Sequence, residues 1–273
     1  MLKITNEIKL EPQILNSLLE QVENTDEEDN QVIFDFSETK WIDSELTVFL
    51  GSLVIFLISK GHEINFTPMK QSLESLFLRN GFFETHGLGE KKEDVNNTII
   101  PYRIFPSAAY EQIDYYLSKD VFGKITEHVK GESLEIVANC IFEIVHNIKE
   151  HSGSKEVLIC GQWYPTKGKL ALAIADVGMS IPKKINNYFK TVGKKQQPDW
   201  WAINWATEKG NSTKAILDGG LGLYELKNSF MDHGQLKILS NNALLLYNKE
   251  EAYYSELDYS FPGTLLHLEF EIK

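Results

Sequence analysis

Between Leu46 and Ile58 the chain reads LTVFLGSLVIFLI, without one charged side chain. A helix made from this run is apolar on every side, so it must be buried rather than laid on a surface. It is also shorter than the roughly 20 residues that cross a bilayer, which makes it a buried helix and not a membrane span. The chain has 273 residues, 42% of them apolar, so it can supply a core large enough to enclose such a helix.

Acidic residues outnumber basic ones 39 to 27, a net charge of −12. Direct nucleic-acid binding and attachment to an anionic membrane are therefore not expected. Residues 1 to 95 carry 18 acids and 8 bases, whereas residues 96 to 273 carry 21 and 19. That asymmetry, with the glycine- and charge-rich stretch GLGEKKEDVNNTII at 87 to 100, places a boundary between two α/β domains, 1–95 and 96–273. Cys140 and Cys160 show no metal-binding spacing and no disulfide framework, so a reducing, cytoplasmic setting is expected. The opening MLKITNEIKLEPQ has neither the basic cap nor the apolar run of a signal peptide.

In the first domain, VIFDF (32–36) and EINFT (63–67) read as strands around the apolar helix, and SLESLFLRNGFF (72–83) as a helix closing at Gly81. Asp43 and Ser44 stand where a helix cap is needed. The order of these elements, with DSxL at a helix start and LxxLFLRNGF at the end, resembles the STAS domains of anti-sigma-factor antagonists over residues 5 to 88. The resemblance implies that Ser44 is a candidate phosphoacceptor, while Glu45 beside it would repel a phosphate.

In the second domain a helix is expected around 107–130, and Leu134, Val137, Ala138, Ile141, Phe142, Val145 and Ile148 recur at helical spacing. On the opposite face Asn139, Glu143, Asn147 and His151 follow in steps of four. A carboxylate one turn from a carboxamide can deprotonate a nucleophile beside a ligand for a hard cation such as Mg2+, although most such faces are simply solvated. EVLICGQW (156–163) and KLALAIADVG (169–178) read as strands, the second alternating Leu170, Leu172 and Ile174 with alanines and ending at Asp176 and Gly178. A carboxylate there can accept from an amino group, and a glycine two residues on allows a flat ring to approach; a plain turn has the same pattern.

Residues 181 to 218 are rich in lysine (183, 184, 190, 194, 195, 209 and 214), the composition of a mobile positive cover over a polyphosphate. Gly219, Gly220 and Gly222 then open a helix whose exposed N–H groups suit an anion. QLKILS (235–240), ALLLYN (243–248) and GTLLHLEFEI (263–272) read as closing strands, with Thr264, Leu266, Leu268, Phe270 and Ile272 on one face.

In order, EIVHN (143–147), DVG (176–178), GGLGL (219–223) and GT (263–264) resemble the motifs of the GHKL superfamily of ATP-binding domains over residues 105 to 273, closest to the anti-sigma-factor serine kinases. The resemblance implies an α/β-sandwich ATPase domain after the STAS-like one, with ATP and Mg2+ as cofactors. It makes Glu143 the general base, Asn147 the Mg2+ ligand and Asp176 the acceptor for the adenine amino group. Gly178 would flank the adenine and Thr264 would support it. Gly219, Gly220, Leu221, Gly222 and Leu223 would form the phosphate loop, with Lys214 beside it. Ser180 stands where the family has a second glycine. A serine/threonine protein kinase of the partner-switching type, an ATPase-driven clamp and a nucleotide-binding scaffold all fit. The implied partners are ATP, a protein that the sequence does not identify, and a second copy of the chain in a homodimer.

Overall fold

A computed structural model of the chain describes residues 1–26, 28–128, 132–148, 152–213 and 222–271. The described residues form a mixed α/β architecture with three sheets. Strands β1 (Leu2–Lys3), β3 (Gln31–Asp35) and β5 (Glu63–Phe66) make a parallel sheet in the order β1-β3-β5. Strands β2 (Glu7–Ile8) and β4 (Trp41–Ile42) pair separately, also parallel. Helices α1 (Pro12–Glu23), α2 (Thr47–Ser59) and α3 (Gln71–Asn80) complete this part, with α4 (Phe82–Thr85) after Gly81, whose φ of +86° is the left-handed turn that ends α3. A short 3-10 turn, Ser44–Leu46, precedes α2.

The larger sheet is antiparallel throughout, in the order β6-β7-β8-β10-β9. Its strands are β6 (Ile99–Pro106), β7 (Glu156–Tyr164), β8 (Lys169–Asp176), β9 (Gly234–Asn248) and β10 (Ala252–Glu271). On one face Ile159, Leu170, Leu172, Ile174, Leu266 and Leu268 pack against helices α5 (Tyr110–Tyr116), α7 (Glu132–Asn147) and α10 (Gly222–His233). On the other face Leu158, Cys160, Ala173, Ala175 and Leu265 share one apolar cluster with α2 and the N-terminal strands. Period-two alternation along β7 and β8 thus serves two cores at once.

Most of α2 is buried in this arrangement, between the parallel sheet on one side and the large sheet on the other, but the expected all-round burial fails in its last turns, where Ile55 and Phe56 are half-buried and Ile58 is 54% exposed. Small side chains let the backbones approach. A Cβ added to Gly51 would fall on the Tyr102 hydroxyl and lie 3.1 Å from Leu158 Cδ2. Phe49 of α2 stacks on Phe261 of β10 with ring centroids 5.7 Å apart.

Several elements differ from expectation. The helix expected over 107–130 is interrupted by a π-helical stretch, Leu117–Phe122, before α6 (Gly123–His128). The two expected strands 235–240 and 243–248 are one strand: Asn241 adopts φ +54° opposite a register shift in β10, so the Asn-Asn pair bulges rather than turns. β10 begins at Ala252 instead of near Gly263, because its first half pairs with β9 alone. Residues 181 to 206 are not a loose cover but two helices, α8 (Ile181–Thr191) and α9 (Asp199–Ala206), packed through Ile185, Phe189 and Ala202. No described helix is long and apolar enough to cross a membrane.

Candidate functional site

The buried face of α7 (Ile141, Ile144, Val145, Ile148) seats the helix on the sheet and turns Glu143 and Asn147 toward a cleft. Asn147 Nδ2 donates to Glu143 Oε1 over 3.2 Å. With its amide nitrogen given to the carboxylate, the Asn147 oxygen is left as the atom that can face a cation. Asn139, one turn earlier, is exposed, and it is not among the residues lining the cleft. α10 starts at Gly222 directly against α7: a Cβ there would fall inside the Glu143 side chain, so glycine is required.

Asp176 ends β8 between Val157 of β7 and Thr264 of β10, 2% exposed. Burial pushes its carboxyl up to about 7, against the opposing pull of the Gly178 N–H and the Ser152 hydroxyl. The Gly178 N–H donates to Asp176 Oδ1 at 2.9 Å. Gly178 itself does not line the cleft; a Cβ on it would lie 2.5 Å from Ser152 O and 2.9 Å from Ser154 N. The glycine is required by the chain at 152–154 packed behind it, not by an open face for a ring.

Thr264 is buried with its hydroxyl 2.8 Å from Ser240 Oγ, which also bonds Gly263 O and accepts from Ile181 N. Gly263, at φ +144°, lies against Asp176 O, where a side chain has no room. Ser180 caps α8 by accepting from the Lys183 N–H.

One cleft of about 860 Å3, its open mouth included, therefore gathers Glu143, Asn147, Asp176, Gly222, Leu223 and Thr264. Its apolar lining includes Ile144, Ile148, Ile181, Ile185, Trp205 and Leu266. Lys214, Gly219, Gly220, Leu221 and His151 lie outside the described residues. Sequence reasoning did not single out Ser152, Trp205 or the run Asn211–Thr213, all of which line the cleft. The one legible signal was the i, i+3, i+4 spacing of Ile181, Lys184 and Ile185.

Ser44 lies on the other face of the large sheet. It is 1% exposed, accepts from Asn80 Nδ2 at 3.4 Å, and its hydroxyl is 3.8 Å from Cys160 Sγ. The placing at an open helix N-terminus is corrected by this burial: α2 begins at Thr47, and a phosphate on Ser44 has no room in this arrangement. Asp43 makes no capping bond; its carboxylate accepts from Trp41 Nε1 and the Tyr164 hydroxyl instead.

Beside Ser44, Glu45 and β10 form a buried polar group that no local spacing announced. His267 Nε2 is 3.3 Å from Glu45 Oε1 and 3.9 Å from Glu269 Oε1, and the three potential ligand atoms lie within 4.8 Å of one another. This set is able to hold a divalent cation. The Tyr164 hydroxyl donates to Glu45 at 2.7 Å, and Lys169 Nζ sits 2.8 Å from Glu269 Oε1. Burial raises the Glu269 carboxyl, but His267 and Lys169 outweigh it and hold it below the usual range.

No family model matches the chain, and neither a curated protein nor a solved structure matches it.

Proposed function

We propose that the chain is a GHKL-type protein that binds ATP with Mg2+ and acts as a partner-switching regulator of the serine/threonine-kinase kind, its STAS-like residues 1–95 serving as docking or autoregulatory unit for residues 96–273. The observation that carries this reading is the convergence of Glu143, Asn147, Asp176, Gly222, Leu223 and Thr264, distant in sequence, on one cleft.

The donor set suits a magnesium nucleotide. The free oxygen of Asn147 is a hard ligand, and the half-buried Glu143 beside it can hold a proton taken from a hydroxyl or from water. Asp176, when ionised, accepts from a 6-amino group, and the apolar lining takes the faces of a purine ring. The bound nucleotide supplies a transferable γ-phosphoryl group; this chain's residues orient it and exclude water.

A second reading, an ATP-hydrolysing conformational switch without protein substrate, is favoured by one observation. Ser44 is buried against Cys160, on the sheet face opposite the cleft, which speaks against this serine as an internal substrate.

Incubation with Mg2+ and γ-labelled ATP separates the readings. Labelled protein supports the kinase, released phosphate alone supports the switch, and both activities are expected to vanish in Glu143→Ala. Calorimetry that detects no adenine nucleotide binding at millimolar concentration removes both.

A further inference from the structure

The lysines of the 181–218 segment are not equivalent. Lys183, Lys190, Lys194, Lys195 and Lys209 are exposed, and two of these lie over the rings of Phe189 and Tyr224. Lys184 is half-buried and lines the cleft. It lies on the same strip of α8 as Ile181 and Ile185, three and one residues away, so the helical repeat that seats those two isoleucines also turns the lysine inward.

Its surroundings are unusual for a cation in a chain of net charge −12. Among the described residues that line the cleft it is the one cation, and the carboxylates Glu143 and Asp176 line the same cleft. Neither of them, nor any other described carboxylate, lies within ion-pair distance of its ammonium. A half-buried ammonium without a counter-ion among the described residues is placed for an anion brought by a ligand. The cleft needs such a group, because two carboxylates alone would repel a polyphosphate.

We infer that Lys184 is the protein cation that takes a phosphate group of the ligand in this cleft. The inference rests on the nucleotide reading above and deepens it. Lys184 contributes to affinity through the phosphates and not through the base, so its removal has a different signature for ligands with and without them. A lysine suffices as a point charge, and arginine at the same position retains the charge.

The test is calorimetry on the full chain with ADP plus Mg2+ and, separately, adenosine, for the unaltered protein, Lys184→Gln and Lys184→Arg. Lys184→Gln is expected to weaken ADP roughly tenfold to a hundredfold while adenosine changes less than about twofold. Lys184→Arg is expected to restore most of the ADP affinity, and raising salt is expected to weaken ADP less in Lys184→Gln than in the unaltered chain. Equal losses for ADP and adenosine, or no loss for ADP, overturn the inference while leaving the nucleotide reading intact. An unaltered chain that binds neither ligand overturns the nucleotide reading, and this inference falls with it. Coincident melting curves for the three proteins are expected, since the Lys184 ammonium makes no ion pair among the described residues.

Discussion

The two faces of the five-stranded sheet carry different kinds of chemistry on the same strands. Toward α7 and α10, β8 and β10 present Asp176 and Thr264 at the end of an apolar field, and a cleft stays open there. Toward α2 they present Ala173, Ala175 and Leu265, and the gap is closed by direct packing. Polar groups on the cleft side end in a Lys184 ammonium with no ion pair among the described residues and a raised carboxyl at Asp176. Those on the sealed side are mostly paired, Glu45 with Tyr164 and His267 and Glu269 with Lys169, although the buried Nδ1 of His267 has no hydrogen-bond partner among the described residues. One face gives up stability for an opening; the other uses all its area for cohesion.

This contrast is open to direct attack. The largest effect is expected from Phe49→Ala on the sealed face, about 3–5 kcal/mol lost in urea unfolding, because a wholly buried ring between α2 and β10 disappears. A loss below about 1 kcal/mol would mean that the sealed face is not cohesive and would break the comparison.

Asp176→Asn on the cleft face is expected to act in the opposite direction. The folded carboxyl titrates at about 7, above the ~3.9 of an unfolded chain, so the native state binds the extra proton between those values. Its stabilising contribution is full below pH ~4 and is lost as pH rises to about 7. The asparagine variant lacks this loss, so relative to the unaltered chain it gains stability from pH 4 to pH 8, by up to roughly 4 kcal/mol. Denaturation at the two pH values measures the difference, and parallel pH profiles would remove Asp176 as a strained group.

Gly178→Ala sharpens the comparison by testing the wall behind Asp176. The added Cβ meets the backbone of Ser152 and Ser154, so about 1–3 kcal/mol is expected to be lost in thermal unfolding. An unaffected midpoint would show that the 152–154 turn is free to move. The smallest effect belongs to Ser44→Ala, which gives up two long hydrogen bonds, with Asn80 Nδ2 and with Cys160 Sγ, about 0.5–1.5 kcal/mol. Incorporation of γ-label into the chain is expected to be unchanged by that substitution; its loss would show that the sealed face opens.

Much of the local structure was legible because it depends on near neighbours. The alternation of β8 by Leu170, Leu172 and Ile174 stands where that spacing put it, and the helical period of α7 holds at Ile141, Val145 and Ile148, whereas Phe142, expected on the same face, is 40% exposed and Ile144, outside the expected pattern, is buried. Asn241 and Asn242 misled for the opposite reason. Asparagine suits a turn, yet pairing with a long partner strand keeps β9 continuous through them, as a bulge. Of the candidate site, Glu143 and Asn147 were legible as one helical stripe, whereas the role of Gly178 was not. What crowds it is Ser152 and Ser154, and neighbouring strand and helix ends give no sign of such an approach in their own spacing. His267 and Glu269 share one face of β10 two residues apart, but the third member was illegible, since Glu45 is more than two hundred residues away and meets them only because the turn before α2 docks on β10.

By itself the sequence determined that α2 must be enclosed, that β8 has a large-residue side and a small-residue side, and that an acid and an amide share one turn of α7. These follow from side-chain periodicity, a property of the covalent chain and its helical or pleated repeat. Only the tertiary structure decided which surface encloses α2, which of many lysines faces the cleft, and that Ser44 is sealed away from it. Those outcomes depend on how two sheets divide the available apolar area between them, and packing between distant segments leaves no periodic mark along the chain.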